Sequence, residues 1–161
     1  MVFKTTTAGV QTLLYSFISG TVDGQYPLGT LIQASDGSLY GMTDSGGANG
    51  AGTVFKITTA GVETLLHSFA NGTADAQNPY GSLIQGSDGN LYGMTVNGGA
   101  NSAGTVVRIT TAGVETLIYS FGAGSDGQYP YGSLIQGSDG SLYGMTQQGG
   151  ANGAGTVFKI D

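Results

Sequence analysis

The sequence contains no cysteine and no tryptophan, only three prolines, and a single histidine. Without cysteine there is neither a disulfide framework nor a thiolate metal site. With His67 as the only imidazole, no Ser-His-Asp triad and no histidine-based metal cluster is expected, and no cofactor or metal is assigned. Basic residues are scarce. Four Lys and Arg against ten Asp and Glu leave a formal charge of −6, which excludes nucleic acid and anionic membrane as partners. No apolar run approaches the length of a bilayer span. The opening residues, MVFKTTTAGV, lack the charged and apolar regions of a signal peptide.

Glycine is abundant, at 31 of 161 residues. Without a collagen period and interleaved with short apolar runs, it signals many tight turns between many short strands. The chain is also repetitive. Residues 79–109 and 130–160 are identical at 25 of 31 positions, and residues 27–57 keep the same frame. Gly41, Gly93 and Gly144 mark periods of 52 and 51 residues. Periods of this size belong to stacked repeat architectures.

Four strands fit each period: Leu83–Gln85, Leu91–Thr95, Thr105–Thr110 and Glu115–Phe121 in the clearest copy. Asp88-Gly89 and Thr111-Ala112-Gly113 are hairpin signals. Adjacent apolar pairs such as Leu83-Ile84 and Val54-Phe55 place apolar groups on both faces of each sheet, so both faces are covered. The expected fold is therefore an all-β propeller of four-stranded antiparallel blades, about 52 residues each, three repeats per chain. A monomeric β-trefoil is the alternative. The whole chain, 1–161, is one domain. Its repeat frame is 2–53, 54–105 and 106–156, with 157–161 a redundant third strand.

The units DGSLYGMT, GGANGAGTVFKI and ETLLYSF resemble the Gloeo-Verruco repeat family over essentially the whole chain. The resemblance implies propeller repeats on exported bacterial proteins, hence an extracellular or cell-surface location, and brings no established activity. The near-identity of the copies also resembles designed symmetric propellers.

Chemistry-bearing residues recur with the repeat. His67 corresponds to Tyr15 and Tyr119, which reads as a packing position. Lys4, Lys56, Arg108 and Lys159 share one position, and Glu63 and Glu115 are expected to pair across the hairpin with Lys56 and Arg108. Asp36, Asp88 and Asp139 are turn residues. The Gly-rich loops (46–52, 98–104, 149–155) and the Asp-bearing loops (18–27, 70–79, 122–130) should share one rim. There, Asp23, Asp75, Asp126, Asn49, Asn101, Asn152, Tyr26 and Tyr129 form a candidate ligand rim for a polar small molecule or glycan.

The leading expectation is a non-enzymatic structural repeat protein that self-assembles. A multivalent, lectin-like binding module is the alternative. Residues 1–17 supply a fourth strand and residues 131–160 supply first, second and third strands, so strand exchange between copies completes a blade. The expected partner is the chain itself, as a homodimer of six blades or a homotrimer of nine.

Overall fold

Short β-branched runs separated by glycine turns fold here as antiparallel sheet throughout. The computed structural model describes residues 1–161 and contains eighteen strands and no helix. The first sheet is a hairpin of β1 (Val2–Thr5) and β2 (Gln11–Tyr15). After β3 (Gly24–Gln25) come β4 (Ile32–Gln33), β5 (Leu39–Thr43), β6 (Ser45–Gly46), β7 (Thr53–Ile57) and β8 (Glu63–Ser68). The second sheet has the order β4-β5-β7-β8, and β3 pairs with β6 beside it. Next are β9 (Ala76–Pro79), β10 (Ile84–Gln85), β11 (Leu91–Gly98), β12 (Thr105–Ile109) and β13 (Glu115–Ser120). They form the third sheet, β10-β11-β12-β13, with β9 on the extension of β11. The last group is β14 (Gly127–Gln128), β15 (Ile135–Gln136), β16 (Leu142–Thr146), β17 (Gln148–Gly149) and β18 (Thr156–Ile160). The fourth sheet, β15-β16-β18, has no fourth strand.

Both hairpins of each repeat use a three-residue loop closed by a left-handed glycine. At Ala34–Ser38 the Gly37 amide donates to the Ala34 carbonyl and the Ala34 amide to the Ser38 carbonyl. Gly37, Gly89 and Gly140 have φ of 78°, 81° and 85°, a region that costs most other residues strain. The aspartate before each glycine keeps negative φ and acts through its carboxylate. Asp36 accepts from the Ser38 amide and the Tyr40 hydroxyl, and the same pair of bonds recurs at Asp88 and Asp139. These are Asx-type turns.

The sheets pack face to face in sequence order. Tyr40, Met42 and Val54 of the second sheet share one core with Leu83, Leu91, Val107 and Ile109 of the third. Met94, Val106 and Phe121 of the third meet Leu134, Leu142, Phe158 and Ile160 of the fourth. Val2, Leu14 and Phe17 meet Phe55 and Ile57 in the same way. Strand alternation explains the sidedness. Met42 pairs with Val54, and Gly41 with Phe55, so a methionine–valine face points forward and a glycine–phenylalanine face points back. Gly93 is where the two meet: a methyl group there would lie 3.1 Å from the Met42 sulfur. A buried Thr–Thr hydrogen bond ties the second and third strands of each repeat, at Thr43–Thr53, Thr95–Thr105 and Thr146–Thr156.

The expected Lys–Glu pairs do not form. Lys56 lies opposite Thr64, and Glu63 lies opposite Ile57, so alternation turns Glu63 to the other face. Lys56 instead meets Asp36 at 2.8 Å, and Arg108 donates to the Thr116 hydroxyl. Leu83 is fully buried between the second and third sheets. Leu83→Ala is expected to lower unfolding free energy by about 2–5 kcal/mol, measured by urea denaturation.

Candidate functional site

The two loop sets expected at one rim do adjoin. Gly47 and Gly99 amides donate to the Asp23 and Asp75 carbonyls. The aspartate side chains organise their own loops. The Asp23 carboxylate accepts from the Ile18 and Gly24 amides and from the Tyr15 hydroxyl. Asp75 accepts from the Ala70 and Ala76 amides, and Asp126 from the Gly127 amide and the Tyr119 hydroxyl. Asn49 and Asn101 donate to the Phe69 and Phe121 carbonyls at the end of the fourth strand. Tyr26 and Tyr129 sit at φ of 58° and 55° beside the same loops, with Tyr26 exposed. A cleft of about 290 Å³ opens next to them, between Asp44, Asn78, Tyr80, Asn97 and Tyr131. The rings of Tyr80 and Tyr131 stand edge to face, 4.9 Å apart.

Two further surfaces lie at the ends of the stack. On the fourth sheet, Met145 and Val157 are 63% and 79% exposed, whereas Met42 and Met94 are 4% and 1% and Val54 and Val106 are 0%. These residues, with Ile135 and Tyr143, line an apolar cleft of about 260 Å³. At the opposite end, a cleft of about 400 Å³ is bounded by Val2, Phe3, Leu31, Gly41 and Phe55. Its Gly41 corresponds in the repeat to Gly93, which Met42 approaches at the junction of the second and third sheets. At Gly41, as at Gly144 of the next junction, the three atoms nearest an added methyl belong to phenylalanine and leucine of the same sheet.

Contacts made twice inside the chain have both halves present and unjoined at its ends. Asn49 and Asn101 hold Phe69 and Phe121, while Asn152 and Phe17 stand apart. Gly61 packs on the Leu14 carbonyl and Gly113 on that of Leu66, while Gly9 meets nothing within 4 Å. The Ser35 and Ser87 amides donate to Gln85 and Gln136 of the next sheet, which leaves Ser138 and Gln33 as open ends. The Thr30 and Ser82 amides donate to the Ser82 and Ser133 hydroxyls.

A third arrangement was not anticipated. His67 of β8, Asp75 of the following loop and Glu115 of β13 converge between the second and third sheets, with one donor atom from each within 4.8 Å of the others. Glu115 Oε1 and His67 Nε2 are buried without a hydrogen-bond partner. Burial, then the Asp75 charge, pushes the Glu115 carboxyl up to about 7, while burial lowers the His67 imidazole. Sequence spacing could not reveal the cluster, because it joins residues 48 positions apart across a sheet–sheet junction. The signal available was the Tyr-to-His change itself.

Glu115 therefore holds its proton in the folded state between its ordinary value of 4.5 and about 7, a range in which the unfolded chain has lost it. Folding stability from this group falls as pH rises through that window and levels above it. His67 acts oppositely below its ordinary 6.5. The difference in stability between Glu115→Gln and the parent is expected to grow in favour of the variant from pH 4.5 to 7, measured by urea titration with chelator present.

The chain is similar in fold to virginiamycin B lyase from Staphylococcus aureus, with a TM-score of 0.61 and 23% identity. The match covers 98% of this chain and 48% of that one. A streptogramin B lyase structure matches at a TM-score of 0.48 and 20% identity, covering 81% of this chain and 39% of the other. The chain thus spans about half the length of these structures. No curated protein matches it. The fold is of the β-propeller type, as expected from the repeats. The expectation of a non-enzymatic protein is corrected by the same match, because the fold this chain adopts is carried by an enzyme. A repetitive sequence with one histidine gave no ground for excluding catalysis, since catalytic groups can be assembled from loops of different repeats. The Gloeobacter/Verrucomicrobia repeat profile matches residues 1–161, and the chain belongs to that family.

Proposed function

We propose that this chain is a three-repeat propeller unit that completes its ring by joining copies head to tail. The observation that carries the reading is the pair of unjoined, complementary ends. The fourth sheet presents its methionine–valine face and lacks a fourth strand. The first hairpin offers that strand, β2, paired with a β1 that duplicates β18. In the joined blade β2 of one copy lies against β18 of another, and Asn152 donates to the Phe17 carbonyl as Asn49 and Asn101 do to theirs. Met145 then seats against Gly41 of the second copy.

β18 fills the third-strand position better than β1. It already pairs over five residues with β16 and carries Thr156, bonded to Thr146. The matching place before β1 is taken by Met1, which has no hydroxyl. Apolar faces of this size left open favour association. The junction is heterologous, so it must close to avoid a filament. Two copies make the smallest closed ring, of six blades, and the match to a chain about twice as long supports that number.

Light scattering is expected to give twice the 16.2 kDa of one chain. Removing residues 1–4 should leave that mass unchanged, and removing 1–17 should abolish assembly. A folded monomer of 16.2 kDa would overturn the reading. Three copies would change the ring size and leave the joined blade in place.

A second reading is favoured by the Tyr80–Tyr131 cleft: the rim binds a polar ligand, with a sugar ring stacking on tyrosine and bonding Asn78 and Asn97. Asp23, Asp75, Asp126, Asn49, Asn101 and Asn152 would shape the rim loops, and Tyr26 and Tyr129 would flank the bound group. Glycan-array signal lost in Tyr131→Ala is the expected outcome, and an array without hits would remove this reading.

A further inference from the structure

We propose that His67, Asp75 and Glu115 form a binding site for a divalent transition-metal ion at the junction of the second and third sheets. The donor set is one imidazole nitrogen and two carboxylates, which suits zinc and its neighbours rather than calcium or magnesium. His67 Nε2 is buried and has no hydrogen-bond partner. This leaves Nε2 free to serve as the ligand atom. The ring is oriented by an edge-to-face contact with Phe69, at 5.0 Å. Asp75 is held by the Ala70 and Ala76 amides. Amide bonds to a carboxylate leave lone pairs for a metal.

The charge pattern favours a cation. The ion pairs of the chain join Lys56 and Lys159 to Asp36, Asp139 and Asp161, and none includes Asp75 or Glu115. Ligands on a tetrahedral zinc stand roughly 3.4 Å apart at bond lengths of about 2.1 Å. The donor atoms, within 4.8 Å of one another, reach that spacing by small side-chain rotations. The fourth position is left for water.

The repeat supplies its own control. The equivalent positions at the first junction hold Tyr15, Asp23 and Glu63, with the tyrosine hydroxyl bonded to Asp23 at 3.0 Å and Glu63 Oε1 again buried without a partner. Only the imidazole is missing there. The site is contained in one chain, so its test does not depend on ring closure.

Chelator-stripped protein is dialysed against micromolar zinc chloride near neutral pH, and bound metal is counted by atomic emission. The expected result is one zinc per chain in the parent and a loss of at least tenfold in His67→Tyr and Glu115→Gln. His67→Tyr installs the residue that the other two repeats carry, so its fold is preserved, and circular dichroism checks this. Tyr15→His is expected to take up a second zinc. The proposal is overturned if the parent binds no zinc, if His67→Tyr retains it, or if Tyr15→His gains none.

Discussion

Every repeat here is apolar on both faces, and this constraint governs the rest of the molecule. A sheet with a methionine–valine face and a glycine–phenylalanine face cannot be stable alone. It needs a neighbour in front and one behind. Met42 over Gly93 is that contact at the junction of the second and third sheets. The side chain fills the space left where the next sheet has no Cβ, and interiors packed at crystal density tolerate little else. Face-to-face packing recurs at each internal junction. The face left on the fourth sheet carries Met145 and Val157, both exposed.

Polar groups serve the same stacking. The Ser–Gln and Ser/Thr–Ser hydrogen bonds run from each sheet to the next along the exposed edge of the junctions, where they link neighbouring sheets through backbone amides. The loop aspartates bind backbone amides at the start of the next repeat. They convert a long Gly-rich connection into a fixed turn, so the rim keeps its shape without disulfides. The cost of this economy is specificity. A group used to hold a loop is not free for a ligand, and what remains open at the rim is tyrosine and asparagine.

Much of this was legible in the sequence. Strand positions followed from apolar runs and turn glycines, and Gly37, Gly89 and Gly140 have the positive φ that their hairpins require. Adjacent pairs such as Leu83-Ile84 signalled two-sided burial, and Leu83 is buried while Ile84 is partly so. Features that depend on three-dimensional neighbours were not legible. β9 and the paired β3 and β6 carry no apolar period: they are two to four residues long, and aspartate bonds to the Gly24 and Ala76 amides help to fix β3 and β9. The Lys–Glu pairs failed because register, not proximity in sequence, decides which face a side chain takes. His67 read as packing, since nothing in the chain order announces that Glu115 lies beside it.

The most direct test of the stacking account uses the four methionines as reporters. Methyl-labelled protein is observed by NMR with and without a soluble paramagnetic chelate, at the highest concentration at which it stays in solution. Met42 and Met94 lie inside internal junctions, and Met145 occupies the same place on the open face. The account predicts that Met145 is shielded as fully as Met42 and Met94, while Met1 is broadened. A Met145 methyl as strongly broadened as Met1 in the folded protein would contradict it.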